Sequence, residues 1–417
     1  MRSISESIRD ERTTTQTDPF QANPSGRGHL ADGGMAPTYD SMRQQKVNAI
    51  DVGIVSVVPS PYQQDIFQAL ANCEGLSVSV YYLEYGSPDS PWPRSALRPF
   101  ERVLPGFWLS IGGARFHVVT QPPKLARHDV IILNSLTSSL CQTYLRQRRL
   151  TQKLVFWAEP LRTQPTSLRR AMQGLLTSPV KKIDAIVAIG SWARSSYQRQ
   201  FPNIPIFNIP YHCELKPFLA GSAKTRPKTS ETIFLFCGQM IPRKGVDVLI
   251  SAFDSLVTAG APARLLLIGR RAGLDEILRP ASPDAKKRIC YEGFIAPDQL
   301  PEVFARADVF VLPSRHDGWG VVVNQAMAAG LPIICTEAVG AGFDLVQDGV
   351  NGFRIPVGDP QRLLEVMKFF LEDKERQLSF GAASRSFAAQ WSPQQGAEKW
   401  LTVLRKVMGQ DANSTGV

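Results

Sequence analysis

Short apolar runs alternate with longer amphipathic stretches from residue 49 onward. The first run, 49–58, is rich in β-branched residues and ends in a Pro-Ser-Pro turn. Residues 62–72 then have helical spacing, and 76–83 are again apolar in the manner of a strand. A strand, a helix and a second strand in that order form a βαβ unit, which makes the two strands parallel. The pattern predicts an α/β protein with parallel sheets.

The same alternation continues to the end of the chain. Further strands are predicted at 129–133, 153–157, 185–189, 232–237, 263–268, 289–292, 309–312, 332–335 and 352–355. Helices are predicted in the second half at 246–258, 298–305, 322–329, 361–372 and 393–408. This series favours two doubly wound α/β domains with a cleft between them.

Composition places the boundaries between these parts. Residues 1–46 are polar, without apolar periodicity, and are predicted to be a disordered tail. A Lys-, Pro-, Ser- and Thr-rich stretch at 216–231 is the predicted linker between an N-terminal domain (47–215) and a C-terminal domain (232–392). A last helix, at 393–410, is placed so that it can pack back on the N-terminal domain.

Charge is distributed unevenly along the chain. Residues 94–228 contain 21 Lys and Arg against 5 Asp and Glu, whereas the remainder contains 26 basic and 32 acidic residues. Such an excess suggests that the first half has an anionic partner: anionic lipid, a phosphorylated acceptor or nucleic acid. The alternative is a solvated basic surface without a dedicated partner. Nucleic acid is disfavoured because the basic half shows neither a recognition motif nor a pattern of stacking aromatics.

Apolar runs and cysteines bound the location of the protein. No run approaches the roughly 20 residues that a membrane-spanning helix needs, and the polar N-terminus lacks a signal-peptide core. The six cysteines are scattered without a metal or redox motif, as in a reducing compartment. We expect a cytoplasmic protein, either soluble or peripheral at the inner face of the membrane.

The first candidate binding loop, 238–245, follows a predicted strand and precedes a predicted helix. Gly238 allows a sharp turn after the strand. Arg243 and Lys244 place two cations near a helix N-terminus, whose free N–H groups already favour anions. The loop is therefore a candidate diphosphate site. The alternative is a surface loop with two solvated bases.

The second candidate loop, Pro-Ser-Arg-His-Asp-Gly-Trp-Gly at 313–320, also joins a strand to a helix. Gly318 and Gly320 flank Trp319, which lets the backbone approach a ligand closely. Asp317 offers an acceptor for sugar hydroxyls, and Gln325 lies eight positions later in the helix. Taken alone, the segment is also compatible with an ordinary strand-to-helix turn. A third flexible loop, 338–343, follows the predicted strand 332–335 at the same sheet edge. Three loops at successive strand ends of one sheet argue more strongly for a ligand site than any one of them.

These segments resemble the retaining glycosyltransferases of family 4, which have the GT-B fold of two facing Rossmann-like domains. The similar text is FLFCGQMIPRKGVDVLISAF, LLLIGR, YEGFIAPDQLPEVFARADVFVLPSRHDGWGVVVNQAMAAGLPIICTE and DLVQDGVNGFRIPVGD, in the family's order and spacing. The first half is similar more loosely, through VPSPYQQDIFQAL, VFWAEPLR, AIVAIGSWAR and IPYHCE. The resemblance implies a glycosyltransferase that uses a nucleotide-diphosphate sugar, in polysaccharide or glycolipid biosynthesis.

By this resemblance, Lys244 matches the lysine that holds the donor diphosphate. Asp317 and Gln325 stand where the family has two glutamates, of which the first contacts the donor sugar and the second contacts the ribose. The turn at 318–320 matches the one whose backbone amides approach the sugar and the phosphates. Asp keeps the charge with a shorter reach, and Gln keeps hydrogen-bonding capacity without the charge.

A further departure concerns the charge around the diphosphate. Gln239 stands where an arginine usually helps to neutralise it, so Arg243 and Lys244 must do more. The resemblance also implies retention of configuration, with the leaving phosphate helping to deprotonate the acceptor, and it implies no metal and no cofactor. The sequence agrees insofar as it has no clustered aspartates that would grip a divalent ion.

The acceptor is expected to bind to the first domain. Ser60, in the first strand-to-helix loop, and Glu159, at a strand end, are the acceptor-side candidates; the alternative for Glu159 is a structural pair with Arg162. The acceptor itself, whether glycan, lipid-linked or small molecule, stays open. So do two other functions: a nucleotide-sugar epimerase or other GT-B enzyme, and a catalytically weakened donor-site binding protein with a membrane-facing basic domain.

Overall fold

The computed structural model describes residues 49–86, 94, 96–111, 114–146, 151–161, 166–221 and 231–410. The predicted disordered tail lies outside these ranges. Of the predicted linker, the first six residues form a helix, Lys216–Gly221, and 222–230 lie outside the described residues.

The described residues of the first half form nine strands. They are β1 (Ile50–Ser56), β2 (Leu76–Tyr82), β3 (Glu101–Val103), β4 (Gly106–Ile111), β5 (Ala114–Val119), β6 (Val130–Leu133), β7 (Lys153–Ala158), β8 (Ala185–Ala188) and β9 (Ile206–Asn208). Seven of them form a sheet in the order β3-β2-β1-β6-β7-β8-β9, with every pair parallel. Strands β4 and β5 form a separate antiparallel hairpin.

The second half contains six strands. They are β10 (Thr232–Cys237), β11 (Ala263–Ile268), β12 (Ile289–Gly293), β13 (Val309–Leu312), β14 (Ile333–Thr336) and β15 (Gly352–Ile355). Their order is β12-β11-β10-β13-β14-β15, again with parallel pairing throughout. The chain therefore turns in opposite directions on either side of β10, as it does on either side of β1 in the first sheet.

Helices connect these strands. In the first half they are α1 (Pro61–Ala71), α2 (Ser139–Arg146), α3 (Ser167–Thr177), α4 (Ser191–Gln200) and α5 (Lys216–Gly221). In the second half they are α6 (Val246–Thr258), α7 (Leu274–Leu278), α8 (Pro283–Arg288), α9 (Leu300–Phe304), α10 (Val322–Ala328), α11 (Gly340–Leu345), α12 (Pro360–Leu371), α13 (Lys374–Ala388) and α14 (Pro393–Val407).

Several strands of the two sheets are buried over their whole length. All four residues of β6, of β8 and of β13 are buried, so these strands read as continuous apolar runs without alternation. Parallel strands covered by helices on both faces have this character. The predicted α/β architecture of two Rossmann-like halves is thus confirmed.

The last helix, α14, packs on the first half although it follows the second in sequence. Trp400 lies edge-on to Trp157 of β7, with ring centroids 5.5 Å apart. A Cβ added at Gly396 would lie 2.7 Å from Ile66 of α1, so the two helices approach closely at this glycine. A capping box of Ser392 and Gln395 fixes the start of the helix.

His212 lies buried beneath this helix. Its Nδ1 donates to the carbonyl of Pro210 (2.8 Å), and its Nε2 accepts from Lys399 of α14 (3.2 Å). The ring stacks on Trp391 with centroids 5.1 Å apart. Burial is the main cause that lowers the pKa of His212 to about 4, and the charge of Lys399 acts in the same direction. The imidazole is therefore neutral in the folded protein at neutral pH.

The sequence pattern missed four short strands, β3, β4, β5 and β9. Strand β4 has no buried residue although Phe107, Leu109 and Ile111 alternate along it, and it stands apart from both parallel sheets. Within the ranges described, no helix combines the length and the apolar character needed to cross a bilayer.

Candidate functional site

The loops that follow β10 and β13 meet at the carboxyl end of the second sheet. These strands are neighbours, and the connections leaving them run to opposite sides of the sheet. In open α/β sheets a crevice for ligands forms at such a point. Both candidate loops predicted from the sequence, 238–245 and 313–320, lie there.

Glycines bring the two loops into contact. Gly245 has φ +67°, and a Cβ added there would lie 2.0 Å from the carbonyl oxygen of Pro313. The backbone N–H of Arg315 donates to the carbonyl of Arg243 (2.8 Å). Arg243 and Lys244 lie in a 3-10 turn immediately before helix α6, rather than in the helix itself. A larger residue at Gly245 would push the loops apart.

Asp317 pairs with both cations of the first loop. Its Oδ2 lies 2.5 Å from Nζ of Lys244, and its Oδ1 lies 3.6 Å from Nη1 of Arg243. Arg243 also donates to the carbonyl of His316 (2.9 Å). The carboxylate thus balances two positive charges at the crevice, a contact that the sequence alone did not indicate. A diphosphate that enters the crevice would contact Lys244 and Arg243 next to this carboxylate.

The loop after β14 holds the turn that contains Asp317. The N–H of Asp317 donates to Ala338 O (2.9 Å), the N–H of Gly340 donates to Asp317 O (3.0 Å), and the N–H of Ala341 donates to Trp319 O (2.8 Å). A Cβ at Gly340 would lie 2.1 Å from the carbonyl oxygen of Gly318. The position of the carboxylate is therefore fixed by backbone contacts rather than by its own rotamer alone.

The indole of Trp319 packs into the contact between the two halves. Its side chain is almost fully buried, and its Nε1 donates to Asn324 (2.9 Å), which in turn donates to the carbonyl of Tyr211 in the first half (3.3 Å). Gly190 of the first half has φ +94°, and a Cβ there would lie 2.6 Å from the indole ring. The turn thus serves the site and the contact between the halves at once.

A cavity of about 290 Å³ lies between these loops and the first half. Most of the predicted donor residues line it: Gly238, Gln239, Arg243, Lys244, Asp317, Trp319, Gly320 and Gln325. Gln325 is half-buried on α10, and its side-chain amide makes no hydrogen bond to any other described residue. Gly320 adopts φ +91°, a conformation that glycine tolerates best.

Other lining residues were not singled out in the sequence. They are Tyr62, Tyr211, Cys237, Ile268, Gly269, Arg270, Phe294, Ile295, Leu300, Val321 and Val322. Gly269 and Arg270 end the LLLIGR segment and directly follow β11, so their place at a strand end was a usable signal. Burial raises the pKa of the Cys237 thiol to about 12, so it is not a thiolate at neutral pH.

Gly318 and Glu159 are in direct contact across the cleft. Gly318 does not line the cavity, because Oε2 of Glu159 occupies the space beside it, only 1.9 Å from where a Cβ would lie. Glu159 follows β7 of the first half and does line the cavity. Its alternative partner, Arg162, lies outside the described residues. The structure thus adds a carboxylate from the first half to the site in the second.

Ser60, the other acceptor-side candidate, does not line the cavity. It is buried, and its hydroxyl donates to Oε1 of Gln63 (3.0 Å). Tyr62, two residues on, does reach the cavity and packs edge-on to Tyr211, with centroids 4.9 Å apart. Burial, followed by the negative charge of Glu159, raises the pKa of Tyr62 above its ordinary value. Its phenol is therefore a neutral hydrogen-bonding group.

Among the residues that the structure describes, no three His, Cys, Asp or Glu side chains are grouped so that they could hold a metal ion. Among the described residues that line the cavity, the charged ones are instead Lys244, Arg243, Arg270, Asp317 and Glu159.

Comparison with known proteins matches the second half to one family. Residues 220–387 match the family model described as glycosyl transferases group 1. The chain is 29% identical over 241 residues to a GDP-mannose-dependent alpha-(1-6)-phosphatidylinositol monomannoside mannosyltransferase of Mycobacterium tuberculosis, covering 54% of this chain and 60% of that protein. It is 26% identical to the GDP-mannose-dependent monoacylated alpha-(1-6)-phosphatidylinositol monomannoside mannosyltransferase of Corynebacterium glutamicum, covering 54% and 62%. The match thus spans about three fifths of the length of these relatives.

Solved structures share the fold over a larger part of the chain. Sucrose-phosphate synthase of Thermosynechococcus elongatus superposes with a TM-score of 0.68 at 18% identity, over 86% of this chain and 99% of that one. Anabaena HepE in complex with UDP-glucose superposes with a TM-score of 0.63 at 15% identity, over 86% and 100%. The second half of this chain is thus similar to the group 1 glycosyltransferases, and its two halves together have the GT-B fold.

Proposed function

We propose that this protein transfers a sugar from a nucleotide-diphosphate donor to an acceptor bound against the first half. The observation that carries the proposal is the cluster of Lys244, Arg243 and Asp317 at the switch point of the second sheet. It lies in a cavity that Glu159 reaches from the other half. The relatives named above as GDP-mannose-dependent make GDP-mannose the first donor to test.

The chemistry of the transfer explains why cations belong there. Cleavage of the bond between the anomeric carbon and the diphosphate leaves negative charge on the departing phosphate and positive charge on the sugar ring. Fixed cations and N–H donors that face the phosphate lower the barrier, because they are positioned before the charge develops. Lys244, Arg243 and the backbone near Gly320 fit that role, and Asp317 faces the sugar.

We propose that the configuration at the anomeric carbon is retained, without a metal and without a cofactor. In this scheme the departing phosphate accepts the proton of the acceptor hydroxyl as the new glycosidic bond forms on the same face. No protein nucleophile is then needed. Asp317 is held by two cations, which makes its carboxylate a poor nucleophile. Glu159 and the neutral phenol of Tyr62 are placed to orient the acceptor hydroxyl.

Substitution of the charged pair tests the donor site. Lys244→Ala and Asp317→Ala should each reduce release of nucleoside diphosphate at least ~100-fold, with the far-UV circular dichroism unchanged. Lys287 and Asp284 form a matched pair in the same half, 3.3 Å apart and each 76% exposed, so Lys287→Ala and Asp284→Ala should leave turnover unchanged. Wild-type turnover in both cleft variants would refute the donor-site assignment.

Three further measurements test this proposal against its alternatives. Stabilisation by GDP-mannose or UDP-glucose in a thermal unfolding assay identifies the donor, because a ligand that binds only the folded state raises its stability. Analysis of the sugar product then distinguishes a transferase from an epimerase, which would change the donor sugar without an acceptor. Unchanged activity after treatment with a chelator is the expected result for a metal-independent enzyme.

A further inference from the structure

The β4–β5 hairpin exposes apolar side chains that none of the described elements covers. Strand β4 is exposed along its whole length. Phe107, Leu109 and Ile111 alternate along it and therefore share one face, and each is about half exposed. Trp108 projects from the other face beneath the guanidinium of Arg115, 4.6 Å from the ring centre. Large apolar side chains grouped in this way mark an interaction surface.

Helix α3 presents a second set of exposed apolar residues. Leu168 is 72% exposed and Leu175 is 66% exposed, although both are leucines in a regular helix. They are seven positions apart, which places them on the same face two turns from each other. Arg169 and Arg170 are also exposed, and 167–182 contains four basic residues and no Asp or Glu. The helix is therefore amphipathic and basic, with an unburied apolar side.

Both elements flank one cavity of about 580 Å³ in the first half. Ile111 and Phe116 line it from the hairpin, and Met172 and Leu176 line it from α3. Glu159 lines this second cavity as well as the cavity with the Lys244–Asp317 pair. A molecule held between the hairpin and α3 can thus extend a hydroxyl group toward the proposed donor.

We propose that Phe107, Leu109, Ile111, Leu168 and Leu175 form an exposed apolar surface that docks on an anionic lipid bilayer. The proposal rests on the proposed transfer reaction, because it makes the acceptor an amphiphile that reaches the second cavity from the bilayer. Leucine and aromatic side chains beside arginines are the composition that binds at the interface of anionic membranes, with the apolar face buried and the bases near the headgroups.

Charge complementarity favours a bilayer over a second protein copy. The basic excess of 94–228, with 21 Lys and Arg against 5 Asp and Glu, includes both the hairpin and α3. A second copy that presented the same surface would bring like charges together across a two-fold interface. Anionic headgroups instead neutralise the arginines while the acyl region covers the leucines.

Co-sedimentation of the full chain with lipid vesicles tests the surface. The probes are vesicles of phosphatidylcholine alone and of phosphatidylcholine mixed two to one with phosphatidylglycerol. The wild type should sediment with the mixed vesicles and be released at high salt. Leu168→Ser/Leu175→Ser should weaken this binding at least ~10-fold, and Arg169→Gln/Arg170→Gln should weaken it by roughly 30-fold. Leu109→Ser/Ile111→Ser repeats the test on the hairpin.

Matched controls come from the second half. Leu378 is 72% exposed on α13, so Leu378→Ser removes an equally exposed leucine away from the surface. Lys286→Gln/Lys287→Gln removes two exposed bases from α8. Both control variants should bind mixed vesicles like the wild type. Because every substituted side chain is exposed, the midpoints of thermal unfolding should stay unchanged. A leucine or isoleucine variant whose midpoint falls is set aside, and the test then rests on Arg169→Gln/Arg170→Gln.

Three results would overturn the proposal. The first is that the wild type binds neither kind of vesicle, and the second is that the Leu168/Leu175, Leu109/Ile111 and Arg169/Arg170 variants bind as well as the wild type. The third is a concentration-dependent dimerisation that those variants abolish. The last would make the surface an interface between two copies. Stabilisation by nucleotide sugar in the same variants reports on the donor site independently, so failure of the membrane surface and failure of the proposed reaction are distinguishable.

Discussion

The contact between Lys244 and Asp317 predicts that stability and activity respond differently to substitution. The two charged atoms are 2.5 Å apart, and each side chain is 13% exposed. At an effective dielectric constant of about 20, two unit charges at that distance attract by roughly 6 to 7 kcal/mol. Desolvation of the two ions offsets most of this attraction, because neither is in bulk water. We expect a net coupling free energy of ~1 to 2 kcal/mol.

The perturbation is a double-mutant cycle with Lys244→Met and Asp317→Asn. Lys244→Met should lower the free energy of unfolding by about 2 kcal/mol, because Asp317 then keeps only Arg243, at the longer distance of 3.6 Å. Asp317→Asn should cost about 1 kcal/mol. The double variant should lose less than the sum of the two, since the pair is removed as a whole.

The activity of the double variant should not recover in the way that its stability does. Both single variants and the double variant should release nucleoside diphosphate at least ~100-fold more slowly than the wild type, because the cation at the departing phosphate is missing or unbalanced. Urea denaturation followed by tryptophan fluorescence measures the stabilities. The same cycle on the exposed Lys287–Asp284 pair should give a coupling below ~0.5 kcal/mol and full activity. Strictly additive stabilities at Lys244 and Asp317, or activity regained in the double variant, would refute the reasoning.

Three further predictions follow from single residues. Gly190→Ala should lower the free energy of unfolding by about 3 kcal/mol, because Gly190 has φ +94° and the new Cβ would lie 2.6 Å from the ring of Trp319. The control Gly260→Ala, at φ +79° with no atom nearby, should lower it by only ~1 kcal/mol. Equal urea midpoints for the two variants would contradict this prediction. Gln325→Ala should raise the KM for the donor about tenfold with little change in kcat, because a hydrogen bond to the ribose is present in both the ground state and the transition state. The KM of Gln325→Glu for the donor should stay close to that of the wild type. Burial lowers the pKa of His212 to about 4, so the stability that this residue contributes is complete above its unfolded pKa near 6.5 and is lost as the pH falls toward 4. His212→Gln should therefore reduce the loss of unfolding free energy between about pH 7 and about pH 5. An unchanged dependence of the unfolding free energy on pH would contradict this prediction.

Apolar patterning was enough to predict the two sheets because the central strands are buried on both faces. Such strands form short continuous runs, and strand β13 with its sequence VFVL is an example. The meeting of 238–245 with 313–320 also followed from the sequence, since both loops leave strand ends of one sheet. The hairpin was missed although Phe107, Leu109 and Ile111 alternate along β4, because the strand is short, is not buried and belongs to neither parallel sheet.

The contacts between the two halves could not be predicted from the sequence. Glu159 lies beside Gly318 although 158 residues separate them in the chain. Asp317 was expected to face a sugar, and the structure pairs it with Lys244 and Arg243 as well. Long-range proximity of this kind depends on how the halves pack, and no local pattern of residue types encodes it.

The position of Trp319 constrains how such proteins can exchange parts. Its indole occupies the space beside Gly190, and its backbone belongs to the turn that carries Asp317. A chimera that joins this second half to the first half of a relative would fit only if that relative also lacks a side chain at the position of Gly190. Recombination of acceptor halves with donor halves is therefore limited by one glycine–tryptophan contact, and grafts that transfer both residues together should succeed where grafts that separate them fail.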